Sequence, residues 1–241
     1  MIIIDAGHGG WDPGGGSNEY FKEKDLTKKI SDYQKRRFDE LGIPSKRTRT
    51  TDETLNPDKR IDRISMLGAD YDDILISNHI NNAGTGGGEV IYSLKSSSAL
   101  PNSIGRSLEN VGLPIRNVYQ RMGRTGKDFY FILRETVPNT SMIIEYGFAN
   151  NEYDTNLLRT RWFDLAEAVV KSIAEYLGVK YTLPNYSVYT VLENDTLNSI
   201  ANTFNTTVEK IKINNSLSSD IINVGDVLII WWKEFLSYFL F

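Results

Sequence analysis

His8 and His79 are the only two histidines in the chain, and each follows a short apolar run. The first run is Ile2-Ile3-Ile4-Asp5-Ala6-Gly7, and the second is Asp73-Ile74-Leu75-Ile76-Ser77-Asn78. Runs of this length, rich in β-branched residues, read as buried strands. In open α/β sheets, ligands collect beyond the carboxyl ends of the strands. Both imidazoles are therefore expected on one rim of one sheet, an arrangement that suits a metal ion. Hydrolytic zinc sites use three protein ligands and keep one position for water. Cysteine is absent, so the third ligand must be a carboxylate. Glu19, Glu23 and Asp25 all fall near the first strand-to-helix turn, and spacing does not choose among them. Glu23 also reads as an ordinary acid at a helix start, where the dipole favours it. Glu145 closes the run Met142-Ile143-Ile144. A carboxylate leaving an apolar strand is costly to bury unpaired; its partner is either a metal-activated water or a basic residue such as Arg134.

The elements that must position these groups alternate along residues 1–177. Strands are expected at about 2–5, 73–77, 89–94, 129–133 and 141–145, with a short extended piece at 44–48. Helices are expected at about 24–41, from Asn56-Pro57 to about 69, within 98–112, and as one long helix over 155–177. Strands alternating with helices predict an α/β fold, a mainly parallel twisted sheet with helices on both faces. Residues 178–187 read as a linker. Residues 188–230 read as a small βααβ unit, with Asp195 and Thr207 as helix N-caps. The tail 231–241 is strongly aromatic and has no assigned role.

Composition removes several classes. The chain has 241 residues, 40% hydrophobic, with a net charge of −4 and a pI of about 5.3. Nothing recruits nucleic acid, and Lys46-Arg47-Arg49 reads as a solvated face. The Gly-rich stretch 9–17 lacks the lysine of a phosphate loop, and Asp12 stands where a dinucleotide motif needs its third glycine. No stretch reaches the roughly 18 apolar residues of a membrane span, so no stable membrane insertion is expected. Met1 leads directly into the first strand, so no export signal is expected.

Taken in order, Ile4-Asp5-Ala6-Gly7-His8-Gly9-Gly10, Glu23-Lys24-Asp25-Leu26-Thr27, Arg47-Thr48-Arg49-Thr50, Ile76-Ser77-Asn78-His79-Ile80-Asn81, Phe131-Ile132-Leu133-Arg134 and Ile144-Glu145-Tyr146-Gly147-Phe148 carry a resemblance. Residues 1–177 resemble the zinc-dependent N-acetylmuramoyl-L-alanine amidases of bacterial walls and phage lysins. The resemblance implies one Zn²⁺ held by His8, Glu23 and His79, with Glu145 as the catalytic carboxylate. It implies hydrolysis of the amide between N-acetylmuramic acid and L-alanine, with peptidoglycan as partner. Ala6 stands where the family usually has Pro, and Asn78 where an apolar residue is common.

Residues 188–230 resemble a LysM domain through Tyr189-Thr190-Val191, Asp195-Thr196-Leu197, Ile213-Asn214 and Val224-Gly225-Asp226-Val227-Leu228. That resemblance implies glycan contacts from Asn194, Asp195, Thr196, Asn215, Ser216 and Ile221. A wall-lytic unit joined to a wall-binding unit is expected to be a monomeric phage or prophage endolysin. It would be made in the host cytoplasm and released through a holin pore or by lysis. A host autolysin and a non-catalytic wall-binding protein are the rivals.

Overall fold

In the computed structural model, which describes residues 1–231, the chain divides into two units, Met1–Tyr181 and Thr182–Phe241. In the first unit, β1 (Ile2–Ala6), β2 (Ser45–Arg47), β3 (Ile74–Asn81), β4 (Gly88–Tyr92), β5 (Ile115–Tyr119) and β6 (Thr140–Phe148) form one sheet in the order β2-β1-β3-β6-β4-β5. β2, β1, β3 and β6 are parallel neighbours. β4 runs antiparallel to β6, and β5 is parallel to β4. The mainly parallel expectation holds, with a reversed pair at one edge. The reversal follows from the short 82–87 connection: a parallel return needs a crossover of a dozen residues or more.

Helices cover both faces, so the central strands are apolar throughout rather than alternating. α6 (Trp162–Tyr176) packs against α1 (Glu23–Glu40) and α3 (Ala99–Asn110); α1 lies on β1 and β3, and α3 on β4. On the other face Ile3, Leu75, Ile91 and Ile143 meet Ile64 of α2 (Pro57–Met66) and Ile132 and Leu133 of α4 (Phe131–Arg134). Asn56 caps α2 by accepting from the Lys59 N–H at 2.9 Å, with Pro57 behind it.

Several expected elements are corrected. Residues 129–133 are not a strand: Phe129 and Tyr130 lead into the single helical turn of α4. A short apolar run carries no period of its own, and here consecutive Ile132 and Leu133 are both buried, which a strand with one packed face would not allow. β5 had no counterpart in the reading, because Arg116 and Asn117 interrupt its apolar positions. The long C-terminal helix is two, α5 (Glu152–Thr160) and α6, broken at Arg161 (φ −135°). β3 and β6 also run further than expected, so His79 and Glu145 lie inside strands, near their carboxyl ends.

Asp5 is fully buried in β1 and takes hydrogen bonds from Arg60 (2.6 Å), Thr48 (2.6 Å) and Ser77 (2.7 Å). Burial opposes its ionisation, but Arg60 and the two hydroxyls outweigh that and hold its carboxyl below the usual range. Arg60→Ala leaves this carboxylate buried and without its cation, at a cost of about 3–5 kcal/mol. Urea unfolding should show that loss as a lower midpoint with an unchanged m-value.

The second unit pairs β7 (Tyr186–Thr190) antiparallel with β8 (Val227–Trp231) and places α7 (Leu197–Thr203) and α8 (Val208–Asn214) between them in sequence. Its core is Val191, Leu197, Ile200, Ala201, Ile211, Leu228 and Ile230. Thr207 caps α8 as expected. The cap of α7 is Thr196, in a reciprocal pair with Ser199, not Asp195. Asp195 instead accepts from the Tyr189 hydroxyl and the Leu192 N–H, each at 2.7 Å. The aromatic tail, beyond Trp231, lies outside the described residues.

Candidate metal centre

β1 ends at Ala6, and the chain turns sharply at His8 (φ +61°), then at Gly9 (φ +130°) and Gly10 (φ +60°). A histidine at positive φ is strained unless its surroundings hold it there. Two buried arginines do so. Arg60 donates to the Ala6 and His8 carbonyls at 2.8 and 2.9 Å, and Arg49 donates to those of Ala6 and Gly7, each at 3.2 Å. Arg49 is 1% exposed, which corrects its reading as part of a solvated basic face. Lys46 and Arg47 do engage near the surface, with the Leu67 carbonyl and with Asp32.

Glu23 opens α1 and faces inward with Leu26, Thr27 and Ile30, at helical spacing. Its Oε2 accepts from the Gly16 N–H at 2.8 Å, and its Oε1 accepts from the Ile80 N–H at 3.0 Å. The same Oε1 lies 3.1 Å from His8 Nε2 and 3.0 Å from His79 Nδ1. The two imidazoles stand edge to face, 5.0 Å between centroids. Glu19 and Asp25, the other carboxylates open to selection, are exposed and outside this group. The helical period was the signal that could have separated them: Glu23 precedes Leu26 by three and Ile30 by seven, while Asp25 falls off that face.

His8, Glu23 and His79 each offer one ligand atom, and these atoms lie within 4.8 Å of one another. Zinc bonds of about 2.0–2.2 Å place tetrahedral ligands roughly 3.3–3.6 Å apart, so the set fits such an ion with small adjustments. The electrostatics favour a cation here. Burial works against a charged Glu23, yet the bonds and charges of His79 and His8 hold its carboxyl far below the usual carboxylate range. Burial likewise opposes charge on His8, but Glu23 and Asp12 outweigh it and push its imidazole up to about 9. Asp12 Oδ2 lies 2.6 Å from His8 Nδ1, the outer contact that orients a ligating imidazole.

Glu145 pairs with His79 across β3 and β6. Among the described residues, its Oε2 and Ser45 Oγ are the two buried side-chain polar atoms without a hydrogen-bond partner. Burial pushes the Glu145 carboxyl up to about 7; His79 opposes this, while Glu23 and Glu89 add to it. Arg134 does not pair with it. That guanidinium donates to the Asp128 and Phe129 carbonyls and bonds Glu135. A carboxyl raised by burial, with one oxygen unpartnered, beside three convergent ligand atoms is suited to general acid–base work.

Close approach around the site depends on missing side chains. A Cβ on Gly7 would stand 2.5 Å from the His79 ring. Gly7→Ala should therefore displace that imidazole and lower the affinity of this centre for a divalent ion about 10–100-fold, the scale of losing an orienting contact. Competition with a chromogenic chelator reads the change, and unaltered circular dichroism separates it from unfolding.

In the second unit, Asn194 (φ +69°) and Ser216 (φ +53°) occupy left-handed turns, and with Thr196 and Ile221 they are exposed. Asn215 is engaged at both ends. Its Nδ2 donates to the Ile211 and Ile229 carbonyls, and its Oδ1 accepts from the Ile229 N–H.

The family profile described as N-acetylmuramoyl-L-alanine amidase matches residues 2–175. The chain belongs to that amidase family. Membership makes it a peptidoglycan hydrolase of the amidase class, and a LysM domain profile matches residues 189–231. The amidase is 30% identical over 183 residues to the protein YqiI of Bacillus subtilis (strain 168), covering 73% of this chain and 84% of that one. It is 28% identical to the probable cell wall amidase LytH of Staphylococcus aureus, covering 73% of this chain but only 58% of LytH. N-acetylmuramoyl-L-alanine amidase AmiC2 of Nostoc punctiforme shares the fold, with a TM-score of 0.64, 23% identity, and coverage of 73% and 96%. No helix among the described residues is long and apolar enough to cross a membrane.

Proposed function

We propose that the chain is a zinc-dependent N-acetylmuramoyl-L-alanine amidase in which His8, Glu23 and His79 hold one Zn²⁺ and Glu145 is the catalytic carboxylate. The convergence of three ligand atoms beside the unpartnered Glu145 oxygen carries this reading. When bound, zinc supplies Lewis acidity, polarising a carbonyl and making a water acidic enough to ionise near neutral pH. Glu145 accepts the proton that the attacking water gives up as its oxygen bonds to the lactyl carbonyl carbon. It then delivers that proton to the alanine nitrogen as the C–N bond breaks. A carboxyl near pH 7 in affinity can do both, since neither protonation state is far out of reach. Asp12 orients His8, and Arg49 and Arg60 hold the turn that presents it.

We take 1–177 as the catalytic domain, 178–187 as a linker and 188–230 as a wall-binding LysM domain. In that domain Asn194, Asp195, Thr196, Asn215, Ser216 and Ile221 form or support the glycan face. A single copy lacks the gain from multivalency, so its affinity for N-acetylated glycan is weak. The joined lytic and wall-binding units suit a monomeric phage or prophage endolysin that acts on the wall after release, and a neighbouring holin gene would separate it from a host autolysin. Zinc quantification on the purified chain, paired with mass analysis of digested sacculi, tests the activity. The expected result is one zinc per chain and release of whole stem peptides with an L-alanine amino terminus. Full activity in a metal-free preparation, or cleavage within the stem, would overturn it.

A further inference from the structure

Three observations lie along one line across the sheet rim. The first is at β1. Gly9 and Asp12 exchange backbone hydrogen bonds at 3.0 and 3.2 Å, making a tight turn with Gly10 and Trp11 at its tip. The turn is pinned. Gly10 N–H donates to Asp52 (2.7 Å), Trp11 N–H donates to Thr54 (2.9 Å), and Lys24 Nζ donates to the Gly10 carbonyl (2.9 Å). Yet the Trp11 side chain is 94% exposed, one residue from the Asp12 that touches His8. A lone exposed apolar residue is ordinary. An indole held outward by a fixed backbone, on the rim of a reaction site, is a ready-made flat platform.

The second is chemical. The leaving nitrogen must lie within reach of Glu145, because that carboxyl protonates it. The chain beyond the nitrogen is the stem peptide, and the chain beyond the carbonyl is the lactyl group and its sugar. Glu145 stands on β6, on the opposite side of His79 and β3 from β1. The peptide therefore departs away from Trp11, and the sugar lies towards it.

The third is at the far edge. Glu145 pairs with Glu89 on β4, and Glu89 stands beside Arg116 at the start of β5, N to O 3.6 Å. That separation is an ion pair too long for a hydrogen bond. The Arg116 guanidinium also rests over the Phe148 ring, 5.5 Å from its centroid, with its side chain 47% exposed. Its remaining donors suit a carboxylate, and Arg presents them as a planar fork. From β6 to β5 is two strand spacings, about 10 Å, which three extended residues span. At the other end the carboxylates that flank Trp11 are both paired, Asp12 with His8 and Asp52 with Lys24, each at 2.6 Å.

Resting on the amidase reading, we propose that the substrate lies across this rim with a pyranose ring stacked on Trp11 and its stem peptide crossing β6 and β4 to a carboxylate contact with Arg116. Trp11 and Arg116 are specificity-determining residues for opposite halves of one substrate.

The test uses the full zinc-loaded chain and three soluble substrates: an N-acetylmuramoyl peptide with its stem, its analogue with lactate in place of the sugar, and N-acetylmuramoyl-L-alanine amide. Trp11→Ala should raise KM about tenfold on both sugar-bearing substrates and leave the lactyl peptide unchanged, and Trp11→Tyr should restore most of the loss. Arg116→Gln should raise KM about tenfold on both stem-bearing substrates and leave the alanine amide unchanged. In each case kcat stays within about twofold, and zinc content and Tm match the parent. Exchanged sensitivities, or variants matching an active parent on every substrate, overturn the proposed orientation and leave the amidase reading standing. A parent that hydrolyses none of the three, or cuts another bond, overturns both.

Discussion

On the zinc-amidase reading, Glu145→Gln should lower kcat on peptidoglycan by about 10²–10⁴-fold while the zinc content stays that of the parent. The substitution keeps the side chain's size and removes its capacity to take up and return a proton. It touches none of the three convergent ligand atoms. The Oε2 it replaces has no hydrogen-bond partner to strand, so the variant should fold with parental or higher stability, since burial of the neutral amide is less costly than burial of the carboxylate. Turbidity loss of purified sacculi gives the rate, and atomic emission gives the metal. A variant that retains more than about a tenth of parental turnover would remove Glu145 from the reaction.

His79→Ala acts at the other point of the site and should lose both zinc and turnover. Two ligands cannot hold the ion as three do, so the loss in affinity should exceed the roughly 10–100-fold cost of removing an outer orienting partner. The variant also leaves Glu23 with one imidazole instead of two. Dialysis against a chelator should reproduce its effect in the parent, and added zinc should restore the parent but not the variant. The contrast between the two substitutions is diagnostic: metal retained with chemistry lost for Glu145, and both lost together for His79. If His79→Ala bound zinc as the parent does, the ligand set would be wrong.

Much of the site was legible in residue types. Apolar, β-branched runs bounded by turn residues marked β1, β3 and β6, because strands buried on both faces need nothing else. The same runs put His8, His79 and Glu145 near one rim, because parallel strands share their carboxyl ends. Glu23 stayed one of three carboxylates until its resemblance to a known motif selected it, although its helical phase with Leu26 and Ile30 distinguishes it. The strand expected at 129–133 became a helical turn because Ile132 and Leu133 both pack beneath α2, and a five-residue apolar run carries no period to reveal that. Arg49 read as part of a surface basic face, and nothing in the sequence singled out Arg60, yet both are buried. The backbone carbonyls of Ala6, Gly7 and His8, gathered by the turn after β1, and for Arg60 the buried Asp5 carboxylate, give these charges a reason to be inside.

What the sequence by itself determined is the inventory: two imidazoles, the acids near them, the strands that end beside them and the small unit that follows. Those are local facts, set by side-chain chemistry and by periods of two and 3.6 along the chain. Tertiary structure alone decided that β4 pairs with β6 and not with β3, that Glu23 Oε1 sits about 3 Å from both imidazoles, and that Glu145 Oε2 is left without a partner. These depend on which segments meet across long separations. Such meetings are settled by the packing of the whole sheet and its helices, and no short stretch of sequence encodes them.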